Sequence, residues 1–130
     1  MLLVKTYLDR SAIAGIGLFA GEPIAKDTLL WKLSDVDLVI HQRDLDAQGL
    51  SELQRQFFES HAYKNGNTYY LCIDDARFMN HSYEANTYDK GQATFAARDI
   101  AAGEEITSNY GNYDDSKRHL DYCRPRDQVS

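Results

Sequence analysis

Cysteine and proline are scarce in this chain of 130 residues, with two of each. Two thiols, Cys72 and Cys123, are too few for a disulfide framework or a four-cysteine zinc site within one chain, so reduced thiols and no metal are expected. The other histidines offer His81 no help as ligands, because His41, His61 and His119 show no metal-ligand spacing. Basic charge is also short: 14 Lys and Arg stand against 20 Asp and Glu, a formal net charge of -6. Direct nucleic-acid binding draws on clustered cations that release counterions, so it is not expected, and a basic partner is the more natural one. The pairs Asp74-Asp75, Glu104-Glu105 and Asp114-Asp115 read first as solvated surface. No apolar run approaches the about 20 residues of a membrane-spanning helix. Met1-Leu2-Leu3-Val4-Lys5 turns polar too early for a signal-peptide core. The expectation is a soluble, intracellular, cytoplasmic protein without membrane attachment.

What the chain does have is aromatic surface, nine tyrosines and five phenylalanines, and length enough for one compact core but not for two. Strand-like runs punctuated by turn residues dominate: Leu2 to Tyr7, Leu18 to Ala20, and Thr28 to Leu33, with Gly15, Gly17, Gly21 and Pro23 between them. Lys64-Asn65-Gly66-Asn67 turns the chain into an alternating strand from Thr68 to Ile73, a hairpin signature. Between these, roughly Arg43 to Ala62, Leu50, Leu53, Phe57 and His61 share one helical stripe with Ser51 able to cap it, so one inserted helix is expected. Asp89-Lys90-Gly91 is read as a turn before a strand at Ala93 to Ala97, and Ala101-Ala102-Gly103 as a turn before Glu105 to Ser108. From Asp114 onward charge rises and apolar content falls. The division is therefore a domain over 1–113 and a C-terminal tail over 114–130, ordered only where it docks.

Three segments carry chemistry. In Gly15-Ile16-Gly17-Leu18-Phe19-Ala20 the glycines permit close backbone approach to a ligand, though an ordinary tight turn reads the same way. A phosphate-binding fingerprint is excluded by the missing third glycine. Arg77-Phe78-Met79-Asn80-His81-Ser82-Tyr83-Glu84-Ala85-Asn86 is a polar cluster following an apolar strand. Its asparagines and histidine either contact a ligand or brace turns through bonds to backbone. Adjacent His81 and Ser82 are poorly placed for a hydrolase triad. In Gly103-Glu104-Glu105-Ile106-Thr107-Ser108-Asn109-Tyr110, consecutive carboxylates on a strand face opposite ways, which does not suit a glycosidase pair.

Taken together and in this order, the glycine turn with Leu18-Phe19-Ala20, the Asn80-His81-Ser82 stretch with Asn86, and Gly103-Glu104-Glu105-Ile106 leading to Tyr110 resemble the SET-domain lysine methyltransferases, especially the short bacterial and viral forms. The likeness runs from about Leu2 to Tyr113. It implies a mainly β, SET-like fold of several small β-sheets with a short helical insert, and a C-terminal strand threaded beneath an earlier loop as a pseudoknot.

The resemblance also implies S-adenosylmethionine as cofactor, bound by Gly15, Ile16, Gly17, Arg77, Asn80, His81 and Tyr110. Methyl transfer would go to the side-chain amine of lysine in a basic protein, with Tyr110 as the catalytic tyrosine. Tyr88 and Tyr113 are candidate walls of the lysine channel by their nearness to the matched segments, and either is equally a packed core residue. Many members close the channel with a cysteine-rich zinc segment that is not found here, leaving the tail with Tyr122 as a possible closure. Asn112 stands where members often carry an aromatic that tunes the number of methyl groups. The rival reading is a module that keeps the fold and binds cofactor or protein without catalysis.

Overall fold

The computed structural model describes residues 1–112. Its strands form three small sheets. In the first, β1 (Thr6–Arg10) and β2 (Ile16–Ala20) are an antiparallel hairpin. The second places β3 (Leu29–Lys32) beside β9 (Ala93–Ala96) and β8 (Thr87–Lys90), and the third is β4 (Leu38–His41), β6 (Thr68–Leu71) and β5 (Tyr63–Asn65). The core lies where the sheets meet: Leu18, Leu30, Ile100 and Ile106 are fully buried, packed with Trp31, Tyr63, Cys72 and Met79. Burial on this scale is the main favourable term holding such short strands together.

The C-terminal strand β10 (Glu105–Ser108) is an interior strand of the first sheet. It pairs antiparallel with β2 through Glu105 and Ile106, and parallel with the short β7 (Asn80–His81) through Thr107 and Ser108. Asn86 completes the β7 edge. Its amide donates to the Glu105 carbonyl at 2.8 Å and accepts from the Thr107 N–H at 2.9 Å, so it stands in for a peptide group of a neighbouring strand. The Thr87 hydroxyl adds a bond to the Thr107 carbonyl at 2.7 Å. Segment 80–87 thus wraps over β10, which is the pseudoknot that the resemblance implies.

Several sequence expectations are corrected. The first strand begins at Thr6, and Leu2 makes only an isolated bridge to Trp31. The inserted helix is two, α1 (Gln42–Asp46) and α2 (Glu52–His61), because the intervening Gly49 takes a φ of 64°, which a continuing helix does not allow. Ser51 does cap α2, in a reciprocal capping box with Gln54. The apolar stripe is not a core face: Leu53 is 77% exposed and Phe57 43% exposed. The half-buried Phe58 makes the contact with the third sheet instead, ring to ring with Tyr69. Asp89 and Lys90 finish β8, and the turn falls on Gly91 and Gln92.

Candidate active site

Residues far apart in sequence meet where β2, β7 and β10 lie side by side. Gly15 has a φ of 45°, a left-handed backbone that favours glycine, and a side chain there would meet no atom within 4 Å. Its conformation, not crowding, explains the residue. The turn faces an open concavity lined by Leu8, Asp9, Arg10, Ser11, Gly15 and Ile16. Ile16 is 53% exposed there although it begins a strand whose other residues are buried. Gly17 has a different cause: a Cβ at that position would sit 2.4 Å from Glu105 Oε2.

Glu105 belongs to a buttress under the turn. The Ser11 hydroxyl lies 2.8 Å from both of its oxygens, and the Asn80 amide donates to Oε2 at 3.0 Å. The same Asn80 nitrogen also faces Ser11 Oγ at 3.1 Å, the Ala14 carbonyl at 3.1 Å and the Ile16 carbonyl at 3.4 Å. An amide has only two protons, so these acceptors share them. Asn80 is 5% exposed, and its side-chain nitrogen is spent bracing the glycine turn. Glu104 points the other way, as strand alternation requires. It is paired with Arg98, whose guanidinium holds its carboxyl down to about 2.

His81, 2% exposed, links β7 to Tyr110. Its Nδ1 accepts from the Tyr110 backbone N–H at 3.0 Å, which leaves the proton of the neutral ring on Nε2. The two rings lie 5.2 Å apart. Tyr110 opens a 3-10 turn (Tyr110–Asn112) and donates its hydroxyl to the Met79 carbonyl at 2.5 Å. The phenol is 4% exposed and borders a half-open pocket.

Trp31, Tyr63, Arg77 and Asp89 share that pocket with Tyr110. Burial pushes the Tyr63 phenol far above its ordinary range. It also pushes the neighbouring Cys72 thiol up to about 12, so that thiol is not a nucleophile. Arg77 sits in a 3-10 turn (Asp75–Phe78) capped by Asp74, donates Nη1 to the Ile73 carbonyl and lies over the Phe78 ring. Its Nε–H is buried without an acceptor among the described residues. Asp89 accepts from the Thr94 hydroxyl at 2.7 Å through Oδ1. Burial raises its carboxyl, partly offset by Thr94 and Asn112.

The sequence-derived residues thus fall into groups. Gly15, Ile16, Gly17 and Asn80 are joined by the buttress, His81 and Tyr110 by direct bonds, and Arg77 reaches Tyr110's pocket. Tyr88 is not among the residues lining it. It precedes Asp89 on β8 and faces the opposite side, stacked on Phe95 with its hydroxyl donated to Asp27 at 3.0 Å. The aromatic wall of this pocket is Trp31, Tyr63 and Tyr110. Tyr113 and the tail over 114–130 lie outside the described residues. Ser11, Glu105, Trp31, Tyr63 and Asp89 were not singled out as site residues from sequence. Only period-two alternation in β8 and β10 offered a signal, separating Asp89 from Tyr88 and Glu105 from Glu104.

The SET domain family model matches residues 15–111. Among curated proteins, the histone-lysine N-methyltransferase trr of Drosophila melanogaster is 29% identical over 126 aligned residues, covering 82% of this chain. The chain spans about 5% of that relative's length. A solved Plasmodium falciparum structure, proposed to be a histone methyltransferase, superposes with a TM-score of 0.62 at 20% identity, covering 85% of this chain and 96% of that one. A chain of a humanized Chaetomium thermophilum Polycomb Repressive Complex 2 superposes with a TM-score of 0.62 at 20% identity, covering 94% of this chain and 16% of that one. At such identities the structural likeness speaks for the fold alone.

Proposed function

The chain belongs to the SET-domain family, and from that premise we propose that it is a protein-lysine N-methyltransferase using S-adenosylmethionine. One observation carries the reading: the Tyr110 phenol borders a largely apolar pocket, its hydroxyl held by the Met79 carbonyl and its backbone N–H by His81. A hydroxyl oriented by its own donated bond presents its lone pairs in one direction, which is what aligning a transferring methyl with an attacking nitrogen needs.

The residues present fit the cofactor. The Gly15 turn is open where a side chain would stand, and Arg77 Nε–H is a buried donor awaiting an acceptor of carboxylate type. Gly15, Ile16 and Gly17 would hold one end of the cofactor on a turn braced by Asn80. Arg77, His81 and Tyr110 would line the rest. When bound, the cofactor supplies an electrophilic methyl group on a sulfonium. This chain's own contribution is to orient and to exclude water. A free lysine amine has a pKa of about 10.4 and is protonated at neutral pH. A pocket walled by Trp31, Tyr63 and Met79 disfavours the charged form, so the amine can lose its proton to water before attack. The net charge of -6 suits a basic protein substrate.

Incubation with labelled S-adenosylmethionine and a panel of basic proteins, followed by mass location of the label, tests this. The expected result is methyl on lysine side chains. Cofactor bound with no label transferred to any protein would favour the binding-module reading.

A further inference from the structure

We infer that Asp89 is the receptor for the cationic head of the target side chain, its carboxylate accepting a hydrogen bond from an alkylammonium inside the Tyr110 pocket. Asp89 lies on the pocket wall together with Trp31, Tyr63 and Tyr110. One carboxylate oxygen, Oδ1, is engaged by the Thr94 hydroxyl at 2.7 Å. The other, Oδ2, is buried and has no hydrogen-bond partner among the described residues. Asn112 lies close enough to lower the carboxyl's pKa as a hydrogen-bonding group, yet Oδ2 is left without a bond of ordinary geometry.

A buried carboxylate oxygen left unpartnered is costly, and such groups in native structures mark a missing partner. The partner must be a donor, because an ionised carboxylate only accepts. Arg77 and His61 also line this wall; Arg77, whose Nη1 serves the Ile73 carbonyl and whose Nε–H is assigned above to the cofactor, forms no ion pair with Asp89. An alkylammonium fits what remains, because it brings donors for Oδ2 while its methylenes and charge lie against aromatic rings. The pocket would select an amine-bearing side chain over a neutral one of equal length. Oδ2 would offset the cost that the apolar wall sets on the charged amine as it enters, and would take the proton first and pass it to water when the amine is released for attack.

For its physiological substrate this inference rests on the proposed methyl transfer, but the site can be tested without it. Trp31 is the only tryptophan and lines the same pocket, so its fluorescence reports occupancy. The protein is titrated at neutral pH with n-butylammonium chloride and with n-butanol, at matched ionic strength. The expected result is a saturable response to both, with the ammonium bound about tenfold more tightly, as a charge-assisted hydrogen bond in a dry site provides. In Asp89→Asn, which keeps an acceptor for Thr94, that preference should fall to about twofold or less by loss of the same bond.

Equal affinities in the wild type, no saturable response to either ligand, or a preference retained in Asp89→Asn would each overturn the assignment. The wild-type comparison stands even where the variant does not fold. A chain that prefers the ammonium through Asp89 yet never transfers methyl would defeat the proposed function and leave this site in place.

Discussion

Replacing Asn80 by alanine removes the one group that ties β7, the glycine turn and Glu105 together. The amide has two protons, so at most two full hydrogen bonds are lost, and Ser11 with Glu105 still satisfy each other. The Ala14 and Ile16 carbonyls are the groups left bare. At roughly 1–3 kcal/mol for each unsatisfied buried group, the loss should be about 2–4 kcal/mol, since one of the two is only partly buried. For a domain of this size about 4 °C of Tm follows each kcal/mol, so unfolding should begin about 8–16 °C lower. Asn80→Asp is the sharper variant. It matches the amide in shape but sets a carboxylate 3.0 Å from Glu105 Oε2 and against two carbonyls, so it should be less stable than Asn80→Ala despite filling the space. Thermal unfolding followed by circular dichroism measures both, and calorimetry with S-adenosylmethionine should show weaker binding in each because the turn loosens. An Asn80→Asp protein as stable as the wild type, or more stable than Asn80→Ala, would refute the buttress.

In Gly17→Ala the new Cβ falls 2.4 Å from Glu105 Oε2 and should cost about 1–3 kcal/mol by overpacking. Combined with Glu105→Ala most of that cost should vanish, the remainder coming from Ser11 Cβ at 3.0 Å, and a double-mutant cycle in urea unfolding measures this. Glu104 is held at about 2 against an ordinary 4.5 by Arg98 first, so its folded-state pKa is depressed. The wild-type advantage over Glu104→Gln should be complete above 4.5 and disappear as pH falls towards 2, with a small amplitude because the pair is near the surface. Denaturant titrations at a series of pH values check it, and an advantage unchanged at the acid end contradicts it.

Much of the fold was legible because its signals are local. The hairpin around Gly66, the Ser51 cap and the turn at Gly103 each follow from residues within a few positions of one another. The paired readings of Asn80 and Asn86, ligand contact or bracing, resolve for the side chains towards bracing. What stayed hidden depends on long-range contact. Ser11 and Glu105 are 94 positions apart, and only the threading of β10 makes them neighbours. Tyr88 lay near the matched segment in sequence, but strand alternation gives the pocket to Asp89. Proximity along a strand does not say which face a cavity will occupy. The stripe on α2 misled for a related reason: periodicity identifies a face, and Phe58 shows that the partner sheet selected another.

The central claim is that the Tyr110 hydroxyl aligns a methyl transfer, and the Tyr110→Phe variant tests it most directly. Removing the hydroxyl leaves the Met79 carbonyl without its donor, so a stability loss of about 1–3 kcal/mol is expected whether or not the group is catalytic. Stability therefore does not discriminate, and the transfer rate does. Single-turnover methylation of a lysine peptide, measured beside S-adenosylmethionine affinity under conditions where the variant is fully folded, should show cofactor binding nearly unchanged. The rate of transfer should be lower by on the order of 100-fold, as for loss of one preorganised group. A folded Tyr110→Phe protein that binds cofactor and transfers methyl at close to the wild-type rate would contradict the account.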